Sequence, residues 1–96
     1  MKEITSEKVD KYISLTEKAV TKIKIASPER SHHRKMADDF LSMATSYLKD
    51  AKHFRDVGNF VNAFACANYA HGWLDAGARI GLFDVGGDDQ LFTLAE

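Results

Sequence analysis

FVNAFACANYAHGWLDAGARIGLF, residues 60–83, decides the fold. At 100° per residue, Phe60, Ala63, Phe64, Ala67, Ala70, Leu74, Ala78 and Gly81 fall on one face of a helix. Tyr69, Trp73 and Ile80 fall on another side. Only Asn68, Asp75 and Arg79, flanked by His71, break the apolar surface, and they form one narrow strip. A helix apolar over most of its circumference is either central to its fold or meets a second partner. Its many small residues, among them Ala63, Cys66, Ala67, Ala70, Gly77 and Gly81, permit close helix approach.

Working back from Phe60, Gly58-Asn59 reads as the end of a preceding helix, since Gly is the usual residue just past a helix terminus. That helix carries Met36, Phe40, Met43, Tyr47, Ala51 and Phe54 in three/four steps, with Ala37, Ala44 and Leu48 beside them. Its start is left open. Ser27 as cap with Pro28 in the first helical position gives one start, and a start near Ser31 is the other. Pro28 also stops whatever helix comes before it. The first helix is expected from about Ser6 to Ala26, capped by Thr5, with Ile4 and Val9 at the two positions of a hydrophobic staple. Val9, Tyr12, Ile13, Thr16, Ala19, Val20 and Ile23 line one face, and Lys11, Ser14, Lys18 and Lys22 the other.

The expectation is an all-α fold, a three-helix antiparallel up-down bundle with helices at about 6–26, 28–57 and 60–83 and an acidic tail at 84–96. Ninety-six residues suit one domain. With 45% hydrophobic and 28% charged residues the chain is too apolar for disorder, and a single Pro with six Gly disfavours a turn-rich β architecture. No stretch approaches the roughly 20 apolar residues of a membrane span. One cysteine forms no intrachain disulfide and suits a reducing compartment, so a cytoplasmic location is expected.

The net charge of −1 conceals an asymmetry. Residues 1–57 hold 12 Lys/Arg against 9 Asp/Glu, whereas residues 58–96 hold Arg79 against 5 acids. In an up-down bundle the turn between the first two helices lies beside the end of the third. Lys22, Lys24, Arg30, Arg34 and Lys35 would gather there, with Asp84, Asp88 and Asp89 emerging next to them. Such a basic end would hold a phosphate or a nucleic-acid backbone. No aromatic residue lies between residues 18 and 35 to stack on bases, so neutralisation by the tail is the simpler reading.

His71, Asp75 and Arg79 stand four residues apart and, with Asn68, make a polar ridge on an otherwise apolar helix. The ridge would hold a polar or anionic ligand, or place an acid beside a base; an Asp75–Arg79 ion pair on a solvated strip is the plainer alternative. No His-x-x-x-His, Glu-x-x-His or paired cysteine supplies a metal set, and Gly86-Gly87 lacks the strand and helix of a phosphate loop. Neither metal nor cofactor is expected, and the balance leans away from an enzyme. Cys66, among alanines with no basic neighbour in sequence, reads as an inert thiol. Tyr69, Trp73 and Ile80 are the candidate self-association surface, so a protein partner or a second copy is expected ahead of nucleic acid.

Two resemblances follow from these residues. Phe54, Gly58, Phe60, Ala63 and Ala70 are spaced as in the middle of a tetratricopeptide-type helical hairpin, of which one copy is present. The segment from Asn68 to Phe83, after an amphipathic helix pair and before a short tail, is similar to a family of small archaeal proteins known as domain of unknown function 357. That resemblance implies a small helical bundle without an assigned activity, and no catalytic residues to transfer.

Overall fold

The computed structural model describes residues 4–25 and 31–86. Three helices, α1 (Ser6–Lys22), α2 (His32–Asp56) and α3 (Phe60–Arg79), form an all-α bundle, joined by a two-stranded ribbon of β1 (Lys24–Ile25) and β2 (Phe83–Asp84). The start signals act as their chemistry dictates. The Thr5 side chain accepts from the Lys8 amide, Ser31 from Arg34 and Asn59 from Asn62, each satisfying a donor the helix leaves open. Ile4 joins the cluster around Val9, completing the staple. Of the two starts open for the second helix, the Ser31 cap is the one used; Ser27 and Pro28 lie outside the described residues.

Side-chain pairs fix the helix directions. Glu17 meets Lys52 and Asp10 meets Arg55, so residue numbers rise in α1 as they fall in α2. Phe40 packs edge-on against Trp73 and Tyr47 stacks tilted on Tyr69, which makes α3 antiparallel to α2. Tyr12 meets Phe64 and Thr16 meets His71, so α1 and α3 run the same way.

Helix α3 is the central element, packed most extensively on α2. Its inward line is Ala63, Ala67, Ala70, Leu74 and Gly77, all buried. On α2 the fully buried positions are Ala37, Ala44, Leu48 and Ala51, while Met36, Phe40, Met43, Tyr47 and Phe54 flank them half-buried. Small residues therefore form the contact line and large ones seal its edges, an arrangement that lets two helices approach closely. The core divides into two clusters. Val9, Ile13, Leu48, Ala51, Ala63, Ala67 and Ala70 fill one, and Ala19, Ala37, Ala44, Leu74, Leu82, Phe83 and Val85 the other.

Two helix ends differ from the sequence expectation. The first helix stops at Lys22 rather than near Ala26, because Ile23 is already extended (φ −71°, ψ 146°) and Lys24-Ile25 pair with Asp84 and Phe83. β-Branched Ile23 and Ile25 suit extended backbone. The third helix stops at Arg79 rather than Phe83. Gly81 takes φ +84°, its amide donates to the Ala78 carbonyl and the Leu82 amide to the Gly77 carbonyl. This is the same double-bonded glycine closure that ends α2, where Gly58 (φ +79°) donates to Arg55 and Asn59 to Phe54. The closure turns the chain back, so Leu82, Phe83 and Val85 are core residues and not the start of a tail.

Candidate functional site

The polar ridge divides between two environments. His71 and Asp75 lie on the flank of α3 that faces α1, with about a quarter of each side chain exposed. His71 Nε2 stands 3.7 Å from the Asp75 carboxylate, and its Nδ1 stands 3.4 Å from the hydroxyl of Thr16, which is buried. A carboxylate beside Nε2 favours the proton on that nitrogen, so the Thr16 hydroxyl donates to Nδ1. Sequence reading placed Thr16 on the inner face of α1 without this role; the missing signal was long-range, since the two residues are 55 apart. The grouping ties α1 to α3. Thr16 is 1% exposed, which leaves its oxygen no access to a substrate.

Asn68 and Arg79, the other ridge positions, are exposed and face away from α1. Asn68 lines a shallow depression of about 380 Å³ with Tyr69, Gly72, Trp73 and Ala76, and an adjoining one of about 350 Å³ with Ala65 and Tyr69. The candidate self-association residues also part company. Tyr69 is 62% and Ile80 58% exposed, whereas Trp73 is half covered by its edge-on contact with Phe40, centroids 4.9 Å apart. Val61, at 65% exposure, joins Tyr69 and Ile80 on the outer face of α3 and was not singled out from sequence. Its signal lay in the wheel, 80° from Tyr69.

At the basic end, Lys22, Lys24 and Lys35 are exposed, as are His32 and His33. Arg34 Nε is bonded to Asp38 one turn along at 3.3 Å, which draws it off the cluster. Lys24 sits opposite Asp84 in the ribbon, so one tail carboxylate does lie beside the basic end. Arg30, Asp88 and Asp89 lie outside the described residues.

Cys66 is partly buried, and burial together with the nearby Asp50 carboxylate pushes its thiol above the usual range. Both effects disfavour the thiolate that a nucleophile requires. Among the described residues no three His, Cys, Asp or Glu side chains converge as a metal site. Nor, among them, is any helix long and apolar enough to cross a membrane.

Fold and surface together define a small three-helix bundle whose most distinctive exposed feature is an uncharged face of its central helix. The chain belongs to the family described as "Protein of unknown function (DUF357)", whose pattern matches residues 11–83. That span runs from α1 to β2 and includes the whole helical contact system. No curated protein and no solved structure matches the chain significantly.

Proposed function

We propose that this protein is a non-catalytic interaction module that associates through the outer face of α3. One observation carries the reading: Val61, Tyr69 and Ile80, three of the four most exposed large apolar side chains among the described residues, share that face. Ala65, Gly72 and Ala76 lie between them and leave the backbone open to a close neighbour. Exposed apolar surface of this kind, clustered rather than scattered, marks contact sites. The buried Thr16, which cannot reach substrate, and the raised Cys66 thiol support a non-catalytic role.

Sedimentation of the full chain across a wide concentration range tests the reading. Concentration-dependent association that Tyr69→Asp lowers at least tenfold is expected. A chain that stays monomeric and whose behaviour Tyr69→Asp leaves unchanged counts against it.

A second reading, nucleic-acid or anionic-ligand binding, is favoured by the exposure of Lys22, Lys24 and Lys35 around the β1 end of the bundle. Binding of RNA or DNA at low salt that falls steeply as salt is raised would support it. Indifference to both polymers at low salt would remove it.

A further inference from the structure

Besides its inward line, α3 carries a second seam that faces solvent. Asn62, Ala65, Tyr69, Gly72, Ala76 and Arg79 follow steps of 3-4-3-4-3, the spacing by which one helix faces another in a coiled pair. All are exposed except Ala65, which is partly so. Asp75 and His71, the polar residues beside this seam, are turned toward α1 and engaged with each other. The seam is therefore free of carboxylates, and Arg79 at its end is its one cation.

The seam is also self-complementary. About a two-fold axis passing between Tyr69 and Gly72, Ala65 falls opposite Ala76, Val61 opposite Ile80, and Asn62 opposite Arg79. Small residues meet small ones and β-branched residues meet each other. Each Tyr69 ring comes over a Gly72, where the depression of about 380 Å³ lies open. A Cβ built on Gly72 meets nothing within 4 Å in the chain, so the space above it belongs to no neighbour within the bundle. A parallel pairing would instead set Arg79 against Arg79 and Gly72 against Gly72. The antiparallel one carries Arg79 to the end of the other copy where α2 finishes at the exposed carboxylate of Asp56, a complementary charge at the negative end of a helix.

From this symmetry of size and charge we infer that the occupant of the outer α3 face is a second copy of this chain, bound antiparallel with Tyr69 of each copy over Gly72 of the other. The contact is isologous, so it closes on itself as a dimer and does not propagate. It rests on the association reading above and makes that reading specific in partner and geometry.

Cross-linking tests the register. In a Cys66→Ala background, Ala65→Cys and Ala76→Cys chains are oxidised separately and as a mixture. Opposed positions bring Cα atoms within disulfide reach, under about 7 Å. Identical positions on antiparallel helices are separated by about 16 Å at 1.5 Å per residue. Covalent dimers in the mixture, with few in either chain alone, are expected. Gly72→Leu, which has open space within its own chain, should weaken association at least tenfold in sedimentation while the helical circular dichroism stays unchanged. Covalent dimers from Ala65→Cys alone, or association indifferent to Gly72→Leu in a folded chain, overturn the antiparallel arrangement and leave association itself standing. A chain monomeric at every concentration removes both.

Discussion

Gly72 and Gly77 are one and a half turns apart on the same helix, and the same substitution should act on them in opposite directions. At Gly77 an added Cβ would fall inside the contact distance of the Phe83 ring, which is 3% exposed and cannot swing away. Gly77→Ala should cost about 1–3 kcal/mol, the usual penalty of overpacking. At Gly72 nothing lies within 4 Å, and the residue is helical, so Gly72→Ala should stabilise the isolated bundle by about 0.5–1 kcal/mol through the lost flexibility of the unfolded chain. Urea unfolding of the two variants at a concentration where the chain is monomeric measures both signs. Cys66 is a second residue-scale case. Because burial and Asp50 hold its thiol above the ordinary range, its alkylation by iodoacetamide at pH 7–8 should be slower than that of a free cysteine. Its rate should rise to a plateau only at higher pH than in the urea-unfolded chain. The sign for stability follows: with the folded thiol titrating above the unfolded one, stability is intact below the unfolded pKa and declines as pH rises through the folded value.

At the scale of elements, the ribbon is what most alters the simple bundle. Two residues of β2 pair with two of β1, with Ile25 opposite Phe83 and Lys24 opposite Asp84. A two-stranded ribbon of this length has little stability of its own. It persists because the Gly81 closure of α3 delivers Leu82, Phe83 and Val85 to the cluster around Leu74 and Ala44. Phe83→Ala should therefore destabilise the protein by about 3–5 kcal/mol, as for other buried aromatic truncations. Loss of protection of the Lys24–Ile25 amides in hydrogen exchange should accompany it. An effect below about 1 kcal/mol would show that the ribbon is peripheral. The glycine at the end of α2 was legible from sequence because Asn59 and a new apolar helix follow it. The equivalent role of Gly81 was not, because Leu82 and Phe83 continue the apolar pattern of α3 across the closure. Periodicity reports which residues are buried, and these are. It does not report that the chain has turned before burying them.

Across the whole molecule, α3 has two uses for one composition. Its inner line of Ala63, Ala67, Ala70, Leu74 and Gly77 lets α2 close on it, and its outer seam presents a similar set of small residues to solvent. The sequence by itself determined that there are three helices, that Thr5 and Asn59 mark helix starts, that Gly58 follows the end of α2, and that α3 is apolar beyond what one face requires. These follow from local chemistry: caps, glycine dihedrals and a 3.6-residue period act within a few residues of one another. The three-dimensional packing alone decided which apolar residues the bundle consumes. Trp73 is half covered because Phe40 reaches it from α2, while Tyr69 and Ile80, of the same apparent face, stay exposed. It likewise split the polar ridge, drawing His71 and Asp75 toward Thr16 and leaving Asn68 and Arg79 on the outer surface. The physical reason is that a helical wheel gives angles about one axis. Which angles are covered depends on where two other axes cross it, and contacts between residues 33 and 55 positions apart set those crossings.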